Sequence, residues 1–129
     1  MTTRKRLPDR RDHFTHKVKI GGLRTLYISL DNERAPKEVW LRVKQRGMDA
    51  EKVALYDWGA QLISLGLQYG VPLEKIAALS LGVRVAPAGP VTHDDRIKNC
   101  SSVIDYIGRN LFVYCLGRED LAHVKKEAL

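Results

Sequence analysis

FTHKVKIGGLRTLYISL, residues 14–30, decides the fold class. Apolar and polar residues alternate on both sides of a Gly-Gly pair. Phe14, His16, Val18 and Ile20 fall on one side of an extended chain, and Thr15, Lys17 and Lys19 on the other. Gly21-Gly22 suits a hairpin turn, because both residues tolerate positive φ. Leu26, Ile28 and Leu30 then mark a second strand.

Downstream, DNERAPK reads as a connection, with Asp31 and Pro36 as turn residues. Val39, Leu41 and Val43 predict a third strand, with Trp40, Arg42 and Lys44 on its other face. Short connections make this an antiparallel meander with one apolar and one basic face.

After residue 48 the period becomes helical. Asp49 is the expected N-cap and Glu51 favours the first turn. Val53, Tyr56, Ala60, Ile63 and Leu67 form one stripe; Leu55, Trp58, Leu62 and Tyr69 form a second. Two stripes predict a helix buried on more than one side. Gly70 closes it, Pro72 opens the next helix and Gly82 ends that one. Residues 83–95 read as a stiff loop. A final long helix is expected from Asp94 or Asp95, with Ile97, Cys100, Ile104, Ile107 and Leu111 on one face and Gly117 as its stop. The expected architecture is α+β: a three-stranded antiparallel meander followed by three helices packed on one face. A basic arm over 1–12, a single domain over 13–116, and a charged tail or short helix over 117–129 complete the layout.

The 129 residues suffice for one domain with a real core, and the formal charge of +7 favours anionic partners. Cys100 and Cys115 lack zinc spacing and read as small apolar residues, which suits a reducing cytoplasm. The start, MTTRKRLPDRR, has no apolar run after it, and no stretch is long enough to cross a bilayer. A cytoplasmic protein is therefore expected, with no membrane partner, metal or cofactor.

RLPDRR ahead of the Gly-Gly hairpin, APKEVWLRV, SLGLQYGVPLEK, RVAPAG and SSVIDYIGRNL, in that order, are similar to the TSCPD domain. This small module occurs near the C-terminus of adenosylcobalamin-dependent ribonucleotide reductases and as a free-standing protein. The resemblance spans roughly residues 6–112. Arg84, Pro87 and Gly89 match the family's loop, while Val85, Ala86 and Ala88 depart from it. Val103, Ile104, Asp105, Tyr106 and Ile107 match a second segment, in which Gly108 and Asn110 replace flanking aromatic residues. The resemblance implies the fold and a "reductase" label. Ribonucleotide reduction needs a catalytic barrel and redox cysteines, so no enzyme activity is expected of this chain.

Two surfaces stand out chemically. Arg84, Gly89, His93, Arg96 and Lys98 would form a phosphate site if the loop led into a helix N-terminus, with the Arg84 loop, Arg96 and Lys98 lining a pocket between subunits. Asp94 and Asp95 compete for that same positive end. His93 with the two aspartates reads as helix caps rather than a metal cluster, and His16 as a core-edge histidine. The second surface joins the arm (Arg4, Lys5, Arg6, Arg10, Arg11) to Lys17, Lys19, Trp40, Arg42 and Lys44, where cations and rings would hold single-stranded nucleic acid. Trp40 also reads as part of a packing surface. The favoured expectation is a non-catalytic homo-oligomer that binds a nucleotide or other phosphorylated small molecule. Its role would be regulation of nucleotide metabolism or, in a phage setting, sequestration of a signalling nucleotide. The alternatives are a nucleic-acid-binding protein and an accessory subunit of a reductase.

Overall fold

The structure, a computed structural model, describes residues 3–32 and 34–126. The meander forms as the alternation predicts: β1 (Phe14–Ile20), β2 (Arg24–Leu30) and β3 (Val39–Lys44) pair antiparallel, with Val18 opposite Leu26 and Leu26 opposite Val43. Gly21 and Gly22 turn the hairpin at φ +62° and +67°. Gly21 is required for space as well. A Cβ there would stand 2.7 Å from the Ala88 carbonyl oxygen, on the loop that packs over the turn.

One sheet face carries the core. Val18, Ile20, Leu26, Ile28, Leu30, Val39 and Val43 are buried beneath the helices. Helix α1 (Ala50–Gln68) lies along β3, capped as expected by Asp49, which accepts the Lys52 N–H at 2.9 Å. Its Ser64 hydroxyl accepts the Val39 N–H and donates to the Val39 carbonyl, so the outer strand's first residue is satisfied by the helix. Of the two stripes, Tyr56, Ala60, Ile63 and Leu67 face the core. Leu55, Trp58, Leu62 and Tyr69 face outward and are exposed. Within one chain, therefore, the helix is covered on one side rather than two.

Helix α2 (Leu73–Ser80) follows Pro72, and Gly82 reverses the chain at φ +85°. It crosses α3 (Val103–Asn110) at Gly108, where a Cβ would lie 2.8 Å from the Ala77 carbonyl oxygen.

Residues 83–102 differ from expectation. They hold two further strands, β4 (Gly89–Thr92) against β1 and β5 (Asn99–Cys100) against β4, giving a five-stranded antiparallel sheet in the order β3-β2-β1-β4-β5. The last helix begins at Val103, not at residue 94 or 95, and Ser102 is its N-cap, accepting the Asp105 N–H. Asp94 misleads for a physical reason. Its carboxylate accepts the N–H groups of Arg96 and Ile97, two and three residues on, which is the bonding pattern of a helix cap applied to a tight turn. Beyond Asn110, α3 widens into a π turn at Leu111–Cys115, with the Leu116 N–H bonded to the Leu111 carbonyl.

Among its described residues, the segment after Gly117 contains one short turn, Glu119–Leu121. It is anchored: the Arg96 carbonyl accepts from the N–H groups of His123 and Val124, and His123 Nδ1 accepts the Lys98 N–H. Among the described residues, no helix is long and apolar enough to cross a membrane.

Candidate functional site

The sheet face opposite the helices is bare. Because antiparallel partners share a face, Lys17, Tyr27 and Arg42 form one cross-strand row, and Lys19, Thr25 and Lys44 the next. Thr92 extends the second row through its pairing with Lys19. Each row spans two inter-strand steps, about 10 Å. All four cations are exposed. The Lys17 and Lys44 ammonium groups each lie 5.8 Å from the centre of the Tyr27 ring. A cleft of about 430 Å³ continues from Lys44, lined by Lys19, Thr25, Lys44, Gln45 and Arg46 among others. Among the described residues, no carboxylate lies in either row or lines this cleft.

The third row, Thr15, Ser29 and Trp40, ends the face differently. Trp40 is exposed, and the His13 ring meets it edge-on at 5.7 Å. His13 bridges Ser29 Oγ (2.8 Å) and Glu38 Oε1 (2.6 Å). Arg11 clasps both Glu38 oxygens at 2.8 and 2.7 Å. The Arg11 hydrogen bonds, with lesser help from Trp40 and His13, hold the Glu38 carboxyl at about 2 against its burial.

The basic arm is thereby tied down at two points. Arg4 donates to Gln68 Oε1 at 2.7 Å, and the Lys5 N–H reaches the Gln68 carbonyl. Arg4 and Arg11 are committed to the protein itself. Lys5, Arg6 and Arg10 remain exposed.

Within one chain, the five residues expected to share a phosphate pocket do not converge. Arg84 is exposed in a cleft of about 330 Å³ lined by Asn99, Ser101, Asp105, Arg109 and His123. None of the other four lines that cleft. Gly89 is a strand residue at φ +110°, and His93, at φ +70°, offers its carbonyl to His16 Nε2 at 2.9 Å. Arg96 is buried; it pairs with Glu119 and lies 5.8 Å from the Tyr114 ring. Lys98 donates its Nζ to the Asp94 carbonyl. The helix N-terminus that was to gather them starts several residues later and is occupied by Ser102 and Asp105.

Asp94 itself, expected at a surface cap, is the hub of a buried network. Oδ1 accepts from Arg96 N (2.9 Å), Ile97 N (2.9 Å) and Tyr114 Oη (2.6 Å), and Oδ2 from Tyr106 Oη (2.7 Å). Asn110 Nδ2 donates to Tyr106 Oη in turn. Nothing in the local sequence distinguishes such a hub from a cap, since its hydroxyl donors lie on the distant α3 and π turn. Among the described residues, no group of three or more His, Cys, Asp or Glu is arranged to hold a metal ion.

The TSCPD domain family model matches residues 1–114, and the chain belongs to that family. Similar proteins include vitamin B12-dependent ribonucleotide reductases. That of Agrobacterium fabrum is 40% identical over 122 residues, 94% of this chain and 9% of that protein. That of Bradyrhizobium diazoefficiens is 38% identical over 127 residues, 96% of this chain and 10% of that protein. For Rhodopirellula baltica the figures are 33% over 118 residues, 91% and 11%. The chain thus spans about a tenth of the length of these relatives. No solved structure matches it.

Proposed function

We propose that this TSCPD domain is a non-catalytic module that holds single-stranded nucleic acid against its open sheet face. The observation that carries the reading is the pair of cationic rows flanking Tyr27, with no carboxylate among them. The cations are spread along the strands instead of converging on one point, which suits a chain of phosphates better than a single nucleotide. A base stacked on Tyr27 would have phosphates within reach of Lys17, Arg42, Lys19 and Lys44. The absence of catalysis is supported by the thiols. Both cysteines are buried, and burial followed by the Asp105 charge pushes the Cys100 thiol up to about 11, leaving it protonated at neutral pH.

Fluorescence anisotropy with labelled oligo-dT and oligo-rU tests the reading. With four phosphates neutralised, the slope of log affinity against log salt is expected near −3. Lys17→Glu with Arg42→Glu should weaken binding at least ~10-fold and flatten the slope. Tyr27→Ala should weaken binding by ~1–3 kcal/mol per stacked base and leave the slope unchanged. Absence of binding at low salt, or binding indifferent to the charge reversals, would reject the proposal. Equal competition by mononucleotides at matched phosphate concentration would transfer the site to a small nucleotide.

A further inference from the structure

The outward face of α1 has a regular pattern. Leu55, Trp58, Leu62, Leu65 and Tyr69 follow one another at spacings of three, four, three and four residues, the a/d seam of a helix that pairs with another helix. Each is exposed in the single chain, by 53, 60, 49, 42 and 44% respectively. At roughly 200 Å² for a large apolar side chain, half-exposure of five gives about 500 Å² of apolar ridge. That is near the upper end of the largest apolar patch found on monomeric proteins. Grooves flank the ridge, one mostly apolar and one lined in part by Arg4, Glu38, Asp57, Gln61 and Gln68. One, of about 580 Å³, runs past Gly59 towards Val85, Ile104 and Ile107, and Leu62 lines both it and the groove beside Trp40.

We propose that α1 is a two-fold pairing surface on which a second copy of this chain lays its own α1 antiparallel. The spacing is self-complementary. With the two-fold axis near residue 60, Leu55 meets Leu65 of the other copy and Trp58 meets Leu62, placing a against d at the centre of the seam, while Tyr69 falls opposite Glu51 at its ends. Leu62 of the partner then enters the hole between Leu55, Trp58, Gly59 and Leu62. Gly59 leaves that hole deep, since a Cβ there would meet nothing within 4 Å in its own chain. The ridge with its groove walls approaches the ~800 Å² per partner of a stable complex. Charge favours the same face. In a chain of net charge +7, α1 carries only Glu51, Lys52 and Asp57, while the cationic rows lie on the opposite side of the sheet. Two copies therefore meet where mutual repulsion is least, and the pairing leaves both basic faces open.

Light scattering and sedimentation of the full chain test this. The wild type is expected at twice the chain mass of 14.6 kDa. Leu62→Glu, which sets two carboxylates into one seam, should raise the dissociation constant at least ~100-fold and yield monomer. Gly59→Leu is the sharper variant. Its Cβ would meet nothing within 4 Å in the isolated chain and leucine favours helix over glycine, so the circular dichroism spectrum should stay native while the hole is filled and the dimer is lost. Lys17→Glu, on the opposite sheet face, should leave the dimer intact. A wild type that remains at the chain mass up to ~100 µM, weaker than the micromolar range of ordinary specific pairs, overturns the proposal. So does a dimer or larger assembly that survives both α1 variants.

Discussion

Replacing Asp94 with alanine is expected to lower stability by about 3–5 kcal/mol, read from urea unfolding midpoints at neutral pH. The carboxylate is 2% exposed and gathers four donors, two backbone N–H groups and the Tyr106 and Tyr114 hydroxyls. Alanine leaves all four without this acceptor in a packed setting, at about 1–3 kcal/mol for each donor that water does not reach. Asp94→Asn should cost less, because its carbonyl oxygen still accepts, although its amide opposes donors on the other side. The same network predicts acid sensitivity. Burial alone would raise the Asp94 carboxyl, but the bonds from Tyr114, Ile97, Arg96 and Tyr106 outweigh it and hold the group below its ordinary value of 3.8. A carboxyl depressed in the folded state binds its proton more readily when unfolded. Its contribution is therefore complete above about pH 4 and is lost as the pH falls through the lower native value. Acid unfolding followed by tyrosine absorbance should begin at higher pH in Asp94→Asn than in the wild type. Identical acid profiles would show that another carboxylate controls the transition.

Gly108→Ala is the second large effect. Helix propensity alone favours alanine by about 0.8–1.0 kcal/mol. At this position packing reverses the sign. The added methyl would lie 2.8 Å from the Ala77 carbonyl oxygen, 3.0 Å from Ser80 Cβ and 3.1 Å from Leu81 N, and two of these three atoms are backbone that moves only with the whole of α2. A net loss of about 2–3 kcal/mol is expected, with reduced protection of α2 amides in hydrogen exchange. A stabilised variant would mean that α2 shifts freely, contrary to its packing on α3. The close crossing leaves no room for a side chain at Gly108. Its neighbour Asn110 spends its side chain on Tyr106, two steps from Asp94.

The meander was legible because each strand faces water on one side, so alternation survives in the sequence. The same alternation placed Lys17, Lys19, Arg42 and Lys44 together correctly. Asp49, Gly70 and Gly82 were legible as local punctuation. What misled was chemistry shared by two structures. Asp94 bonds the next N–H groups as a helix cap does, and Ile97, Cys100, Ile104 and Ile107 recur at helical spacing although the first two belong to a turn and a two-residue strand. Strands as short as β4 and β5 leave no periodicity to read. The commitments of Arg4 to Gln68, Arg11 to Glu38 and Arg96 to Glu119 span 64, 27 and 23 residues. A count of basic residues therefore overstated how many cations remain available to a partner.

The anchored segment beyond Gly117 also bears on where this unit ends. The family model's match stops at residue 114, yet Glu119, His123 and Val124 close over the chain between β4 and β5. Trimming a clone to the span of the family model would strip the Arg96 guanidinium of its counter-ion, Glu119. The working boundary for expression thus lies at least ten residues past the end of the family model's match, near Lys125, whose ammonium still grips the Ala122 carbonyl.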